Sequence, residues 1–268
     1  MNNGTYEGNI AEIDFVKNFN KNKQQYMYYF NQLNINKIDN YFMCRVLGFH
    51  FSKLSNKKVM TRADTYLIYC EDNQIYKSIY ENNYYLDELI LKEKNIKYNF
   101  INFSGVSIKM ANSDKFQILK LTPDSFFHLF GEYELGAGAS IFCKRKEELE
   151  KNDMVLKGWK TTKERIINKY SNSLPELKLL EGNIDVQTKI EILSKLKKFS
   201  NKTIKEKVDS NDKIKKIVFN GYYIYNEPYS ATFFYKGNKI EKLDYIPFCV
   251  TTGSGRSKGN FTIVLKPI

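Results

Sequence analysis

Alternation and helical spacing divide this chain into a mixed first half, a helical middle and a β-rich end. In residues 9–20 (NIAEIDFVKNFN) Ile13, Val16 and Phe19 make one stripe, widened by Phe15. That is the spacing of an amphipathic helix with one buried face. Glu12 lies on the edge of this stripe and Asp14 points away. A second helix is predicted over 22–33. Residues 41–51 (YFMCRVLGFHF) read as strand, with Gly48 as a bend. A further strand runs over 62–70 and ends at the polar stretch EDN, 71–73. Leu86, Leu89, Ile90 and Glu93 predict a helix over 80–94, and a second long strand follows over 98–110. In that strand Val106, Ile108 and Met110 share one face, Ser107 and Lys109 the other.

A third strand is predicted over 115–121. Thr122 as cap, Pro123 at the first position and Asp124 in the first turn then open a helix over 122–130. GAGAS, 136–140, reads as a flexible turn. Residues 144–216 form a basic, mainly helical subdomain or insertion. From 217 to 268 the pattern returns to strands: IVFNGYYIY, ATFFYKG, KIEKLDYIPF and FTIVLK, joined by NEP, GN and TTGSGRSKGN. The expected class is α/β (α+β), a mixed sheet flanked by helices. It is read as a single domain, 1–268, with 144–216 as its helical subdomain and 217–268 as the returning β-rich part.

Composition narrows the partners. The chain has 268 residues, of which 15% are aromatic, enough to bury a core and too many for disorder. Lys and Arg number 42 against 30 Asp and Glu, a net charge of +12. Most of that excess lies in 144–216. Such a balance favours a polyanion, nucleic acid first. Cys44, Cys70, Cys143 and Cys249 form no CxxC pair, and His50 and His128 are the only histidines, so no zinc spacing exists. No apolar run is long enough for a membrane and MNNGTYEGN has no apolar leader core. A cytoplasmic protein without a membrane partner is expected.

One constellation can carry chemistry. Asp64, in RADTYLIY, precedes Ser107 and Lys109, in SGVSIKMANS. Phosphodiester hydrolysis needs an acidic ligand for magnesium, a group that places water, and positive charge on the phosphate. Asp64 suits the metal, and Lys109 the water or the phosphate. Ser107, through its hydroxyl, or the carbonyl of Ile108 can complete the shell. Glu12 is the natural second carboxylate. In TTGSGRSKGN, Arg256 suits guanine, and Lys258, Ser254, Ser257 and Asn260 suit phosphates or base edges. The glycines do not have the spacing of a phosphate-binding P-loop. Lys144 and Arg145 add basic charge. Trp159 and His128 are expected as packed residues.

The segments AEIDFVKNF, RADTYLIY, GVSIKMANS and TTGSGRSKGNFTIVLKP resemble those of type II restriction endonucleases of the PD-(D/E)xK nuclease superfamily. The resemblance is to small four-base cutters, in which a neutral polar residue replaces the acid of the E-x-K pair. Ala63 stands where that family has proline, and 80–94 has to be an insertion between Asp64 and Ser107. The resemblance implies a twisted mixed sheet flanked by helices and Mg2+-dependent cleavage of double-stranded DNA at a short sequence. It also implies a cognate DNA methyltransferase as genetic partner. Monomer and homodimer both remain open. A structure-specific repair or junction nuclease would share the site, and a non-catalytic nucleic-acid-binding protein would share the charge.

Overall fold

The computed structural model describes residues 3–110 and 116–268. The chain divides into two compact units, Met1–Asp114 with Phe219–Ile246, and Lys115–Val218 with Pro247–Ile268. Ala111, Asn112 and Ser113 of GVSIKMANS, and Lys115 at the head of the strand expected over 115–121, lie outside the described residues.

The first unit opens with α1 (Asn3–Lys21). Phe15, Val16 and Phe19 are buried, whereas Ile13 is half-buried and Asp14 exposed. A 3-10 turn, Lys23–Tyr26, leads into α2 (Met27–Gln32). β1 (Tyr41–Arg45) stops ahead of the bend at Gly48, and β2 (His50–Ser52) pairs with β3 (Lys57–Val59) as a separate hairpin. β4 (Thr65–Tyr69), α3 (Gln74–Glu81), α4 (Glu88–Glu93), β5 (Asn99–Phe100) and β6 (Val106–Ile108) follow.

Two expectations fail in this stretch. The helix over 80–94 is two short helices. Asn83 (φ 50°) and Tyr84 (φ 64°) break the first, and the Asp87 carboxylate caps the second by accepting from the Ile90 N–H. Leu86 and Leu91 are buried, and Leu89 is 51% exposed. The long strand over 98–110 is likewise interrupted. β1 occupies one edge of β4 throughout, so β5 and β6 share the other. Between them Phe103 adopts φ 58°, and the Ser104 hydroxyl oxygen, in place of a carbonyl, accepts the Leu67 N–H at 3.0 Å.

The chain then builds the second unit from β7 (Leu119–Leu121), α5 (Pro123–Phe130), α6 (Glu134–Ser140), α7 (Asn152–Gly158), α8 (Lys163–Tyr170) and α9 (Val186–Ser210). Thr122 caps α5, accepting from the Ser125 N–H, with Pro123 in the first turn. GAGAS is not a turn; it is the buried body of α6. A Cβ on Gly136 would lie 2.1 Å from the Trp159 ring, and one on Gly138 would lie 2.3 Å from Ser200 Oγ. These glycines are therefore packing positions, where neighbours approach the helix axis closely. Trp159 is fully buried, whereas His128, expected to be packed, is exposed. Along α9, Ile192, Leu193, Leu196, Ile204 and Val208 make the buried stripe.

α10 (Asp212–Asn220) contains the division between the units. It replaces the strand expected from 217: in KIVFN the apolar run continues a helical face. β8 (Phe233–Lys236) and β9 (Lys239–Lys242) then complete the first unit, and β10 (Phe248–Thr252) and β11 (Ile263–Pro267) the second. The main sheet runs β1–β4–β6–β8–β9, with β5 also on β4. All its pairs are antiparallel except β6 with β8. α1 packs on β1 and β6, and the core beneath it is rich in aromatic rings, including Phe15, Phe19, Tyr29, Phe30 and Phe233. Asn20 ties helix to sheet, donating to the Met43 carbonyl at 3.0 Å and accepting the Met43 N–H at 2.7 Å. The second unit has its own antiparallel sheet, β10–β11–β7. The protein is thus of mixed α and β class, with a mixed sheet flanked by helices. Among the described residues no helix is long and apolar enough to cross a membrane.

Candidate active site

Asp64 occupies the bend one residue before β4. Its main chain is clamped on two sides: its N–H donates to the Val106 carbonyl at 2.9 Å, and its carbonyl accepts the Val46 N–H at 3.0 Å. β6 is held in turn by β8, with Val106 opposite Phe233 and Ile108 opposite Tyr235. Gly105, just before β6, has a structural reason to lack a side chain. A Cβ there would lie 1.9 Å from the Ser230 carbonyl oxygen and 2.9 Å from Ala63 Cβ. The glycine lets β6 enter the sheet directly beside the residue that precedes Asp64.

The side chains form one connected chain. Lys109 Nζ donates to Ser107 Oγ at 2.8 Å. Ser107 Oγ donates to Asp64 Oδ2 at 3.2 Å, and the same oxygen accepts the Ile108 N–H at 2.6 Å. Ser107 is buried, and Asp64 and Lys109 are half-buried. Within a strand, the N–H and C=O of one residue face the same neighbour, so the Ile108 carbonyl also turns toward the Asp64 side. Burial pushes the Asp64 carboxyl above the usual carboxylate range; Lys109, the Ile108 N–H, Ser107 and Arg45 pull it back.

Glu12 reaches the same place from α1. Burial first, then the charge of Asp64, raises its carboxyl, while Arg45 and Lys109 act in the opposite sense. Its Oε2 accepts from Arg45 Nε at 2.8 Å, and Arg45 also donates to Asn9 Oδ1. Arg45 ends β1 and was not singled out in the sequence. Its signal was weak: a lone cation closing an otherwise apolar strand. Arg62, two residues before Asp64, was also passed over. Burial lowers the affinity of its guanidinium for a proton, and Tyr225 and Asp64 oppose that.

Among the described residues no three His, Cys, Asp or Glu side chains gather into a metal-binding group. The two carboxylates nevertheless fit a hard cation. Asp64 Oδ1 and Glu12 Oε1 accept no hydrogen bond among the described residues, because the protein contacts of each carboxylate use its other oxygen. Magnesium is content with one or two carboxylates and several waters.

The other expected residues belong to the second unit. Arg256 lies in the turn between β10 and β11 and donates to the Ser140 and Ile141 carbonyls. Its guanidinium stacks 3.6 Å over the Phe142 ring. It is therefore bound by its own protein and does not project as a base-reading fork. Ser254, Ser257, Lys258 and Asn260 are exposed on the same turn, and Lys144 and Arg145 are exposed beyond the end of α6.

No family model matches the chain, and neither a curated protein nor a solved structure matches it.

Proposed function

We propose that the chain is a Mg2+-dependent endodeoxyribonuclease of the PD-(D/E)xK type, a type II restriction enzyme hydrolysing double-stranded DNA at a short sequence. The observation that carries this reading is the hydrogen-bonded chain Lys109–Ser107–Asp64, assembled from residues 43 positions apart. A solvated strand stripe would leave Ser107 in water; here it is buried between a carboxylate and an ammonium. The mixed sheet with a flanking N-terminal helix that carries Glu12 agrees with the resemblance.

Asp64 and the Ile108 carbonyl, with Glu12 beside them, are the groups that would hold magnesium. The bound ion supplies positive charge at the phosphate and acidity to a coordinated water. Lys109 donates a hydrogen bond to the attacking water or to the scissile phosphate, and its ammonium offsets charge developing on the phosphate oxygens. Ser107 fixes the direction of that ammonium, and Asp64, itself held by the Ile108 N–H, fixes Ser107. Water adds across one P–O bond of the backbone, leaving a phosphate monoester on one side and a hydroxyl on the other.

The test is incubation with unmethylated plasmid DNA and magnesium. Discrete fragments are expected, with loss of about 10²-fold or more in rate for Asp64→Ala and for Lys109→Ala while duplex binding persists. A smear or nicking would point to a structure-specific nuclease, and intact DNA with a mobility shift to a binding protein. Undiminished cleavage by both variants would remove the site. A DNA methyltransferase protecting the same sequence is the expected genetic partner.

A further inference from the structure

The second unit contains a cavity of about 350 Å³ lined by Lys144, Arg145, Lys197 and Arg256, with Thr252 and Glu148 beside them. Four cations thus face one carboxylate. Among the described residues none of the four is within ion-pair distance of an acid.

Part of this cluster has a purely structural cause. α6 ends at Ser140, and its last carbonyls have no partner within the helix. Arg256 donates to the Ser140 and Ile141 carbonyls, and Lys197 Nζ to the Ile141 carbonyl at 3.2 Å. Capping accounts for two cations at that helix end and not for four. Lys144 and Arg145 are exposed and add like charge where solvation elsewhere was open to them. The repulsion is felt: burial, then Arg256 and Lys144, make Lys197 a weaker base than an ordinary lysine. The Phe142 face holds the Arg256 plane in one orientation. Both carbonyl contacts use Nη1, so what the guanidinium offers the cavity is its fixed charge with the remaining N–H groups, rather than a projecting fork.

We propose that this cavity is a receptor for a phosphate group. Its volume is on the order of ten water molecules, room for a phosphate and its nearest waters. The ligand brings the negative charge that Glu148 alone does not supply. Two sources share this chemistry: the backbone of nucleic acid and a free phosphate compound. The proposal does not depend on cleavage at Asp64.

Inorganic pyrophosphate and a fluorescent DNA duplex are the two probes, each used on the full chain without magnesium. Lys144→Gln combined with Arg145→Gln changes only exposed side chains, and Lys197→Gln is the second variant. Calorimetry with pyrophosphate is expected to show binding that weakens about tenfold or more in both variants. If the backbone is the source, duplex affinity falls in parallel and the slope of log K against log salt shrinks by about 1–2. If a free phosphate compound is the source, pyrophosphate binding falls and duplex binding does not. Unchanged binding of both probes in both variants overturns the proposal, as does failure of the unaltered protein to bind either. Asp64→Ala is expected to bind pyrophosphate normally, so loss of cleavage and loss of this pocket are separable.

Discussion

Replacing Gly136 with alanine sets two effects of opposite sign against each other. In an unpacked helix the change gains about 1 kcal/mol, because glycine is a poor helix former. In α6 the new Cβ would lie 2.1, 2.4 and 2.6 Å from three atoms of the Trp159 ring. Carbon atoms are comfortable at about 3.5–4 Å, so the ring would have to retreat by more than about 1 Å. It has little room: Trp159 is 0% exposed and meets Phe126 edge-on at 5.2 Å between centroids. Overpacking of this kind costs about 1–3 kcal/mol and occasionally more. Because the ring has so little room the upper end, about 3 kcal/mol, applies, and less the helical gain of about 1 kcal/mol a net loss of about 2 kcal/mol is expected. Gly8 in α1 is the control, since a Cβ there meets nothing within 4 Å and its φ is not positive. Gly8→Ala is expected to stabilise by about 0.5–1 kcal/mol. Urea unfolding followed by tryptophan fluorescence reads the second unit directly, because Trp159 is the only tryptophan. With a slope of about 1–3 kcal/mol per molar urea, the Gly136→Ala midpoint should drop by about 1 M. Circular dichroism follows Gly8→Ala. A Gly136→Ala protein as stable as its parent would refute the packing argument and return residues 136–140 to a tolerant turn.

Two more expectations concern the candidate site. The Asp64 carboxyl is raised in the folded protein, so the fold binds its proton more tightly than the unfolded chain does. Its ionisation therefore weakens folding as pH rises from the ordinary carboxylate range through the raised value. Asp64→Asn, which keeps an oxygen for the Ile108 N–H, should raise the melting temperature at pH 7 and lose that advantage near pH 4; a lower melting temperature at pH 7 would contradict the electrostatic account. Gly105→Ala would place a Cβ 1.9 Å from the Ser230 carbonyl oxygen and should cost about 3 kcal/mol or more, with loss of plasmid cleavage. A stable and fully active Gly105→Ala protein would show that β6 need not sit so close to Ala63.

What the sequence disclosed, and what it withheld, follows from how local each cause is. The stripe of Ile13, Val16 and Phe19 widened by Phe15 and the cap at Thr122 are written within a few residues and appear in the structure, with Ile13 only half-buried. The alternation around Ser107 located a strand, but all three residues of β6 are buried. GAGAS misled because glycine in a helix is informative only through its neighbour. Nothing near Gly136 in sequence announces Trp159. The break in 98–110 had the same origin: Ser104 completes the hydrogen bonding of β4 with its side chain, and apolar alternation carries no trace of that. KIVFN was ambiguous because a short apolar run at the end of a helix looks like a buried strand. At the candidate site, Asp64, Ser107 and Lys109 could be selected by residue type and spacing. The pairing of Glu12 with Arg45 could not, since it depends on α1 lying across the end of β1.

The parallel pairing of β6 with β8 has a consequence for how the protein is made. β6 has only three residues, and its partner arrives after the whole span between Ile108 and Phe233 has been synthesised. At about 5–20 residues per second, the strand bearing Ser107, with Lys109 just beyond its end, waits roughly ten seconds with one edge unpaired. The closure entropy of so long a loop is modest, because it grows only logarithmically with length. Timing, not energy, is then the constraint. A nascent chain halted before Phe233 holds all four side chains of the candidate site but not the strand that fixes two of them. Assembly of the site would thus have to wait until β8 has been made.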